Sequence, residues 1–168
     1  MKKNVGKIVY AETDAQGLDL IAPLWRKLNE HHKAHSPHHA RHFAAMTWEI
    51  RRKDLLEKSK NGAIRVDLAR NKNSGVLVGY CVSTISEKRQ GEIESIYIEE
   101  NDRLSGIGDN LMKKAIRWLD EQSVKKKIIG VASGNEEVFA FYSRYNFYPR
   151  VTILEQIVTG KEADSSSF

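Results

Sequence analysis

The segment Arg103-Leu104-Ser105-Gly106-Ile107-Gly108 sets two glycines between an apolar run that ends at Ile98 and a helix-patterned run that begins at Gly108. Glycine lets a chain turn tightly and brings backbone N–H groups close to a ligand. A helix starting at that point adds unpaired N–H donors and roughly half a positive charge. Such a junction suits a diphosphate. Its spacing is neither the G-x-x-x-x-G-K-[ST] of nucleotide hydrolases nor the G-x-G-x-x-G of dinucleotide folds, and a bare glycine pair also serves loop geometry alone. A second concentration of chemistry is histidine: all six fall between His31 and His42. His31/His35 and His38/His42 stand at i, i+4, a spacing able to hold a metal on a helix. No Cys, Asp or Glu is interspersed and Pro37 interrupts the pairs, so no metal is expected. The segment then reads as a solvated interhelical loop or as lining for a ligand pocket. The one cysteine, Cys81 in Gly79-Tyr80-Cys81-Val82, has no histidine nearby in sequence and reads as packing rather than as a nucleophile.

The elements that must position these residues follow from periodicity. Lys7–Thr13 reads as a first strand, closed by a turn at Asp14–Gly17. Ile21, Leu24, Trp25 and Leu28 recur at helical spacing, with Pro23 tolerated in the first turn and Ser36-Pro37 ending the run. A second helix is expected over Arg41–Lys58, burying Phe43, Met46, Ile50 and Leu55, with Trp25 and Trp48 as core candidates. An antiparallel run follows: Ala63–Ala69, Val76–Ile85 and Glu92–Ile98, joined by turns at Asn71–Gly75 and Glu87–Gly91. The pattern then alternates: helix at Gly108–Glu121, strand at Ile128–Ala132, helix at Glu136–Tyr145 and a closing strand within Tyr148–Val158. The order β-α-α-β-β-β-α-β-α-β makes an α/β fold with a mixed sheet, one domain over residues 1–160 and a polar tail over 161–168.

At this point the sequence resembles the GCN5-related N-acetyltransferase (GNAT) family. Arg103, Gly106 and Gly108 match its [RQ]-x-x-G-x-[GA] phosphate loop. Downstream, Asn135, Tyr142 and Phe147 match N-x-x-A-x-x-x-Y-x-x-x-G-F, while Val138 and Asn146 stand where Ala and Gly are usual. The resemblance implies acetyl-CoA as cosubstrate, no required metal, and direct attack by an amine. It implies that main-chain groups of Ile96, Tyr97 and Ile98 pair with pantetheine. Arg103, Leu104, Ser105, Gly106, Ile107 and Gly108 would hold the diphosphate, Asn135 would bond pantetheine, and Arg144 would meet the 3′-phosphate. Tyr142 would protonate departing CoA, with Tyr145 the rival donor. A phenol of pKa ~10 does keep its proton at neutral pH. Glu94 would take the amine's proton, with Glu92 or water as alternatives. A carboxylate among apolar strand residues is expected to have a raised pKa. In a common family form, Glu100 is a proline, Asp102 an aromatic residue and Leu104 a glycine. Asp109 follows the last glycine, where an acid repels a diphosphate unless its carboxylate turns away.

Composition bounds the rest. The 168 residues are 40% hydrophobic and 29% charged, as in a soluble globular chain. No apolar run approaches the ~20 residues of a membrane span, so neither membrane nor secretory signal is expected. One cysteine excludes an internal disulfide framework, and the expected compartment is the cytoplasm. The net charge of +5 favours anionic ligands, but no nucleic-acid-binding signature accompanies it. The expected acceptor is a small-molecule amine. A protein lysine or N-terminus is the alternative within enzymes, and an acyl-CoA-binding regulator the alternative outside them. A homodimer is left open.

Overall fold

The computed structural model describes residues 7–157. Its elements in chain order are β1 (Ile8–Thr13), α1 (Ala22–His35), α2 (Ala40–Ala45), α3 (Trp48–Ser59), β2 (Ala63–Asn71), β3 (Leu77–Ile85), β4 (Gln90–Ile98), α4 (Ile107–Glu121), β5 (Lys126–Ile129) and α5 (Phe139–Ser143), linked by short 3-10 turns. The strands form one sheet in the order β1-β2-β3-β4-β5, antiparallel except for the final parallel pair.

Alternation along β2 and β3 sends side chains to two separate cores. Val66, Leu68, Tyr80 and Val82 face Leu18, Ile21, Leu24, Trp25, Trp48 and Leu55, the cover of α1, α3 and the 3-10 turn over Ala15–Ile21. Ala69, Cys81 and Ile85 face Leu111, Met112, Ala115 and Leu119 on α4, joined by Val78, the extra residue of a bulge opposite Ala69 and Arg70. Trp25 and Trp48 join the two covering helices, their ring centroids 5.5 Å apart. The indole N–H of Trp48 donates to Asp19 at 2.8 Å, so this ring is fixed core. Cys81 is wholly buried against α4, and burial raises its thiol pKa so that it stays protonated.

Four expectations change, and one of them is the helix over Glu136–Tyr145, which is a 3-10 turn at Glu136–Val138 followed by the short α5. The second helix divides at Met46–Thr47, because Thr47 adopts extended backbone and its hydroxyl caps α3 by accepting from the Ile50 N–H. The division turns Ile50 outward, 45% exposed, while Leu55 stays buried. The fifth strand starts earlier, at Lys126, and is four residues long. No closing strand forms among the described residues: 148–157 has no sheet partner, and Val151, Ile153 and Leu154 are exposed. The tail over 161–168 lies outside the described residues.

Candidate active site

The parallel pairing of β4 with β5 covers Gln90–Ile93 against Lys126–Ile129 and goes no further. Beyond Ile93 the strands part. On its other edge β4 stays paired to β3, with Ile96, Tyr97 and Ile98 opposite Cys81, Tyr80 and Gly79. One main-chain edge of these three residues is therefore free of a strand partner, and it borders a cavity of about 480 Å³. Register supplies the bend. Val82 faces Ser95 and Ser83 faces Ile93, which leaves Glu94 as an extra residue, a β-bulge that turns the strand.

The loop after β4 forms the next wall. Leu104 and Gly106 adopt left-handed backbone, with φ of 62° and 85°. Glycine is the residue for such a conformation, which explains its usual place at 104 in the family pattern. Among the described residues, the backbone N–H groups from Leu104 to Asp109 meet no backbone acceptor. A Cβ built on Gly106 would find nothing within 4 Å, so the loop's concave side is open to a ligand. Arg103 is anchored by its Nε–H to the Ile98 carbonyl at 3.0 Å. Ser105 bonds the Asp102 carbonyl and Ile107, the first residue of α4, buries its side chain, so neither side chain lines the cavity.

Asp109 does not turn away: it stays on the cavity wall and caps no helix N–H, and two partners meet its charge instead. Tyr145 donates its hydroxyl to the carboxylate, and Arg144 grips it with two nitrogens at 3.3 and 3.4 Å. The Arg144 guanidinium also lies 4.7 Å from the Phe141 ring centroid. Burial and the Asp109 carboxylate push the Tyr145 pKa up to about 12. Asn135 and Tyr142 line the cavity together, although no single helix carries both: Asn135 precedes a 3-10 turn at Glu136–Val138 and Tyr142 is on α5. Burial, with Cys81 beneath the ring, raises Tyr142 far above the usual phenol value. It therefore carries its proton throughout the physiological range.

Glu94 corrects an expectation. Its carboxylate is only 3% exposed, and burial alone would raise its pKa. Lys58 at 2.7 Å, the Thr84 hydroxyl at 2.6 Å and Arg51 at 3.0 Å outweigh burial and hold it below the usual range. Arg51 also donates to the Glu94 main-chain carbonyl at 3.3 Å. Glu92 bonds the same Lys58 ammonium, so the two glutamates do share a face. Neither is among the side chains that line the cavity.

The family model for the Acetyltransferase (GNAT) family matches residues 24–147. The chain belongs to the GNAT acetyltransferase family. It is thus an enzyme of acetyl-CoA-dependent acetyl transfer. No curated protein matches it. Solved structures share its fold. A GCN5-related N-acetyltransferase from Ralstonia eutropha superposes with a TM-score of 0.69 at 17% identity, covering 90% of this chain and 99% of its own. A putative acetyl transferase from Pyrococcus furiosus gives 0.64 at 22%, covering 89% and 100%. An aminoglycoside acetyltransferase from an uncultured soil metagenomic sample, solved in complex with sisomicin, gives 0.59 at 15%, covering 92% and 97%.

For a GNAT acetyltransferase the residues present fit acetyl-CoA. The open cradle at Gly106, the N–H groups without backbone acceptors and the nearby Arg103 and Arg144 suit a diphosphate. Asn146, in place of the usual glycine, has φ 62°, a conformation asparagine tolerates better than most residues. Among the described residues no three His, Cys, Asp or Glu converge as a metal site, and no helix is long and apolar enough to cross a membrane. Arg51 and His31 gained no distinct role from sequence. Arg51 lies in a surface-like charge run, yet Arg51 and Lys58 stand seven apart on one helical face, the spacing of two groups serving one carboxylate.

Proposed function

We propose that this acetyltransferase transfers the acetyl group of acetyl-CoA to a primary amine of a small molecule by direct attack in a ternary complex. The observation that carries the reading is one cavity joining the free edge of β4, the N–H cradle and Tyr142. Acetyl-CoA supplies an acetyl group already activated as a thioester. Main-chain groups of Ile96, Tyr97 and Ile98 hold the pantetheine arm, and Asn135 adds a side-chain hydrogen bond. Backbone N–H groups of Leu104, Ser105, Gly106, Ile107 and Gly108, backed by the guanidinium of Arg103, hold the diphosphate. Arg144 meets the 3′-phosphate, and its grip on Asp109 keeps that acid from repelling the ligand.

Tyr142 delivers its proton to the sulfur as CoA leaves. Glu94 keeps its charge between Arg51 and Lys58 and fixes the bulge that opens the cleft, rather than acting as the base. A small acceptor is supported by the aminoglycoside acetyltransferases among the structures that share the fold. The test is a panel of aminoglycosides, linear polyamines and peptides with free N-termini, with CoA thiol release as readout. Turnover of small amines over peptides is expected. Preference for peptides overturns the acceptor class, and CoA binding without turnover of any member overturns catalysis on amines.

A further inference from the structure

We propose that His31 is the group that takes the proton from the attacking amine, an assignment that rests on the reading of the cavity above. An alkyl amine of pKa ~10.4 is almost wholly protonated at neutral pH; it sheds one proton to solvent before attack and a second, the one assigned to His31, as the C–N bond forms. Glu94 is surrounded by cations and lies outside the cavity lining. His31 lines the same cavity as Tyr142 and Asn135, and comes from α1 rather than from the phosphate loop or α5.

Its placement is constrained from two sides. The end of α1 is fastened to the loop before Asn135: the Ser36 hydroxyl donates to the Ser133 carbonyl, and the His35 carbonyl packs on Gly134. Within the helix, the His31 and His35 rings stack with centroids 4.1 Å apart. A carbonyl can only accept, so the 2.8 Å contact of His35 Nδ1 with the His31 carbonyl fixes the proton on that His35 nitrogen. His32 sits beside Phe43, and burial, with His31 and His35 adding to it, pushes its pKa down to about 4. A neutral His32 leaves no fixed cation next to His31 on that side.

Other charged groups face the same space. Asp102 and Arg103 come from the loop, Asp109 from α4, and Glu137 and Arg144 from the α5 region, with Tyr97 on β4. Arg144 holds Asp109, and Arg103 is tied to Ile98. Asp102 adjoins the loop assigned to the diphosphate, which leaves Glu137 as the rival to be excluded. In the step itself the amine nitrogen bonds the acetyl carbon while its N–H proton passes to the His31 imidazole. The carbon–sulfur bond breaks with its electron pair on sulfur, which takes the Tyr142 proton. The imidazolium then returns one proton through water to the phenolate, which restores both residues.

The test is the pH dependence of kcat/KM with the best amine of the panel, for wild type, His31→Gln and Glu137→Gln, alongside CoA affinity by calorimetry. Loss of the amine's own proton gives a slope of one, and an imidazole base adds a second, so the wild-type profile carries one break that the amine alone does not. His31→Gln is expected to show a slope of one throughout and a loss of ~10²–10⁴-fold at pH 8, with CoA affinity unchanged. Glu137→Gln should keep the break. If His31→Gln keeps the break or loses under about threefold, His31 is not the base. If only Glu137→Gln abolishes the break, the role passes to Glu137. A wild type that binds CoA but consumes no amine overturns the proposed function and this assignment with it. Ring-nitrogen NMR of the unmodified chain reads the placement without a variant: CoA should shift His31 more than His38 or His42, and an unmoved His31 overturns it.

Discussion

Glu94→Gln tests the electrostatics beneath the cleft. The substitution keeps shape and removes one charge from a site where Arg51 and Lys58 both point at the carboxylate. Breaking a buried ion pair costs about 3–5 kcal/mol, because the remaining charge is left without a partner. Here Lys58 is 36% exposed and Arg51 22%, so water takes up part of that loss. The expected destabilisation is about 2–3 kcal/mol, a fall in Tm of roughly 5–10 °C for a chain of this size. The folded carboxylate has a depressed pKa, so its stabilisation is full above the unfolded value of ~4.3 and disappears as pH falls through the folded value. Thermal unfolding of wild type and Glu94→Gln should differ by a constant gap from pH 8 to about pH 5, closing on further acidification. A gap under ~0.5 kcal/mol at neutral pH, or one that widens in acid, would refute the argument. Kinetics supply the second arm. An anchoring role predicts a rate loss independent of pH and shared by Arg51→Ala, whereas a catalytic base predicts recovery at high pH.

Tyr142→Phe should retain the fold and CoA binding while kcat and kcat/KM fall together by ~10²–10⁴-fold; steady-state kinetics beside Tyr145→Phe, which loses only its bond to Asp109, would expose a misassigned acid if the control proved the more crippled. Gly106→Asp combines left-handed backbone with a like charge in the anion cradle, so calorimetry should show CoA affinity falling at least about tenfold, and unchanged affinity would remove the diphosphate from this loop. Leu104→Gly relieves a left-handed residue of roughly 1–2 kcal/mol and returns about half of that as chain entropy. Its side chain is fully exposed, so a net gain of about 0.5–1 kcal/mol in denaturant unfolding is expected, and a net loss would contradict the strain.

What the sequence made legible was local or periodic. The amphipathic run of α4, the turn at Asn71–Gly75 and the phosphate-loop glycines are each written in adjacent residues. Asn135 and Tyr142 could be named from the family pattern they match, although the backbone between them is a 3-10 turn and a short helix rather than the continuous helix expected. The environment of Glu94 was not legible, since it depends on a bulge in β4 and on two cations from a helix more than thirty residues earlier. A carboxylate between isoleucines looks desolvated until those cations are found. The break between α2 and α3 was present in Thr47, whose hydroxyl competes for a helix start, but the apolar spacing from Phe43 to Leu55 runs across it. The end of the chain misled for another reason: alternating apolar residues after Tyr148 resemble a strand, and a strand needs an edge that accepts it.

A Cβ placed on Gly134 would lie 1.8 Å from the His35 carbonyl oxygen. The width of the cleft where α1 meets the β5–α5 loop is thus set by an absent methyl group. Gly134 need touch no substrate to matter: even alanine there would prise the last turn of α1, and the His31 ring with it, away from Asn135. The position would then behave as a selectivity site at a distance. Because Gly134 also holds a left-handed φ of 88°, lost stability and an altered range of accepted amines would appear together.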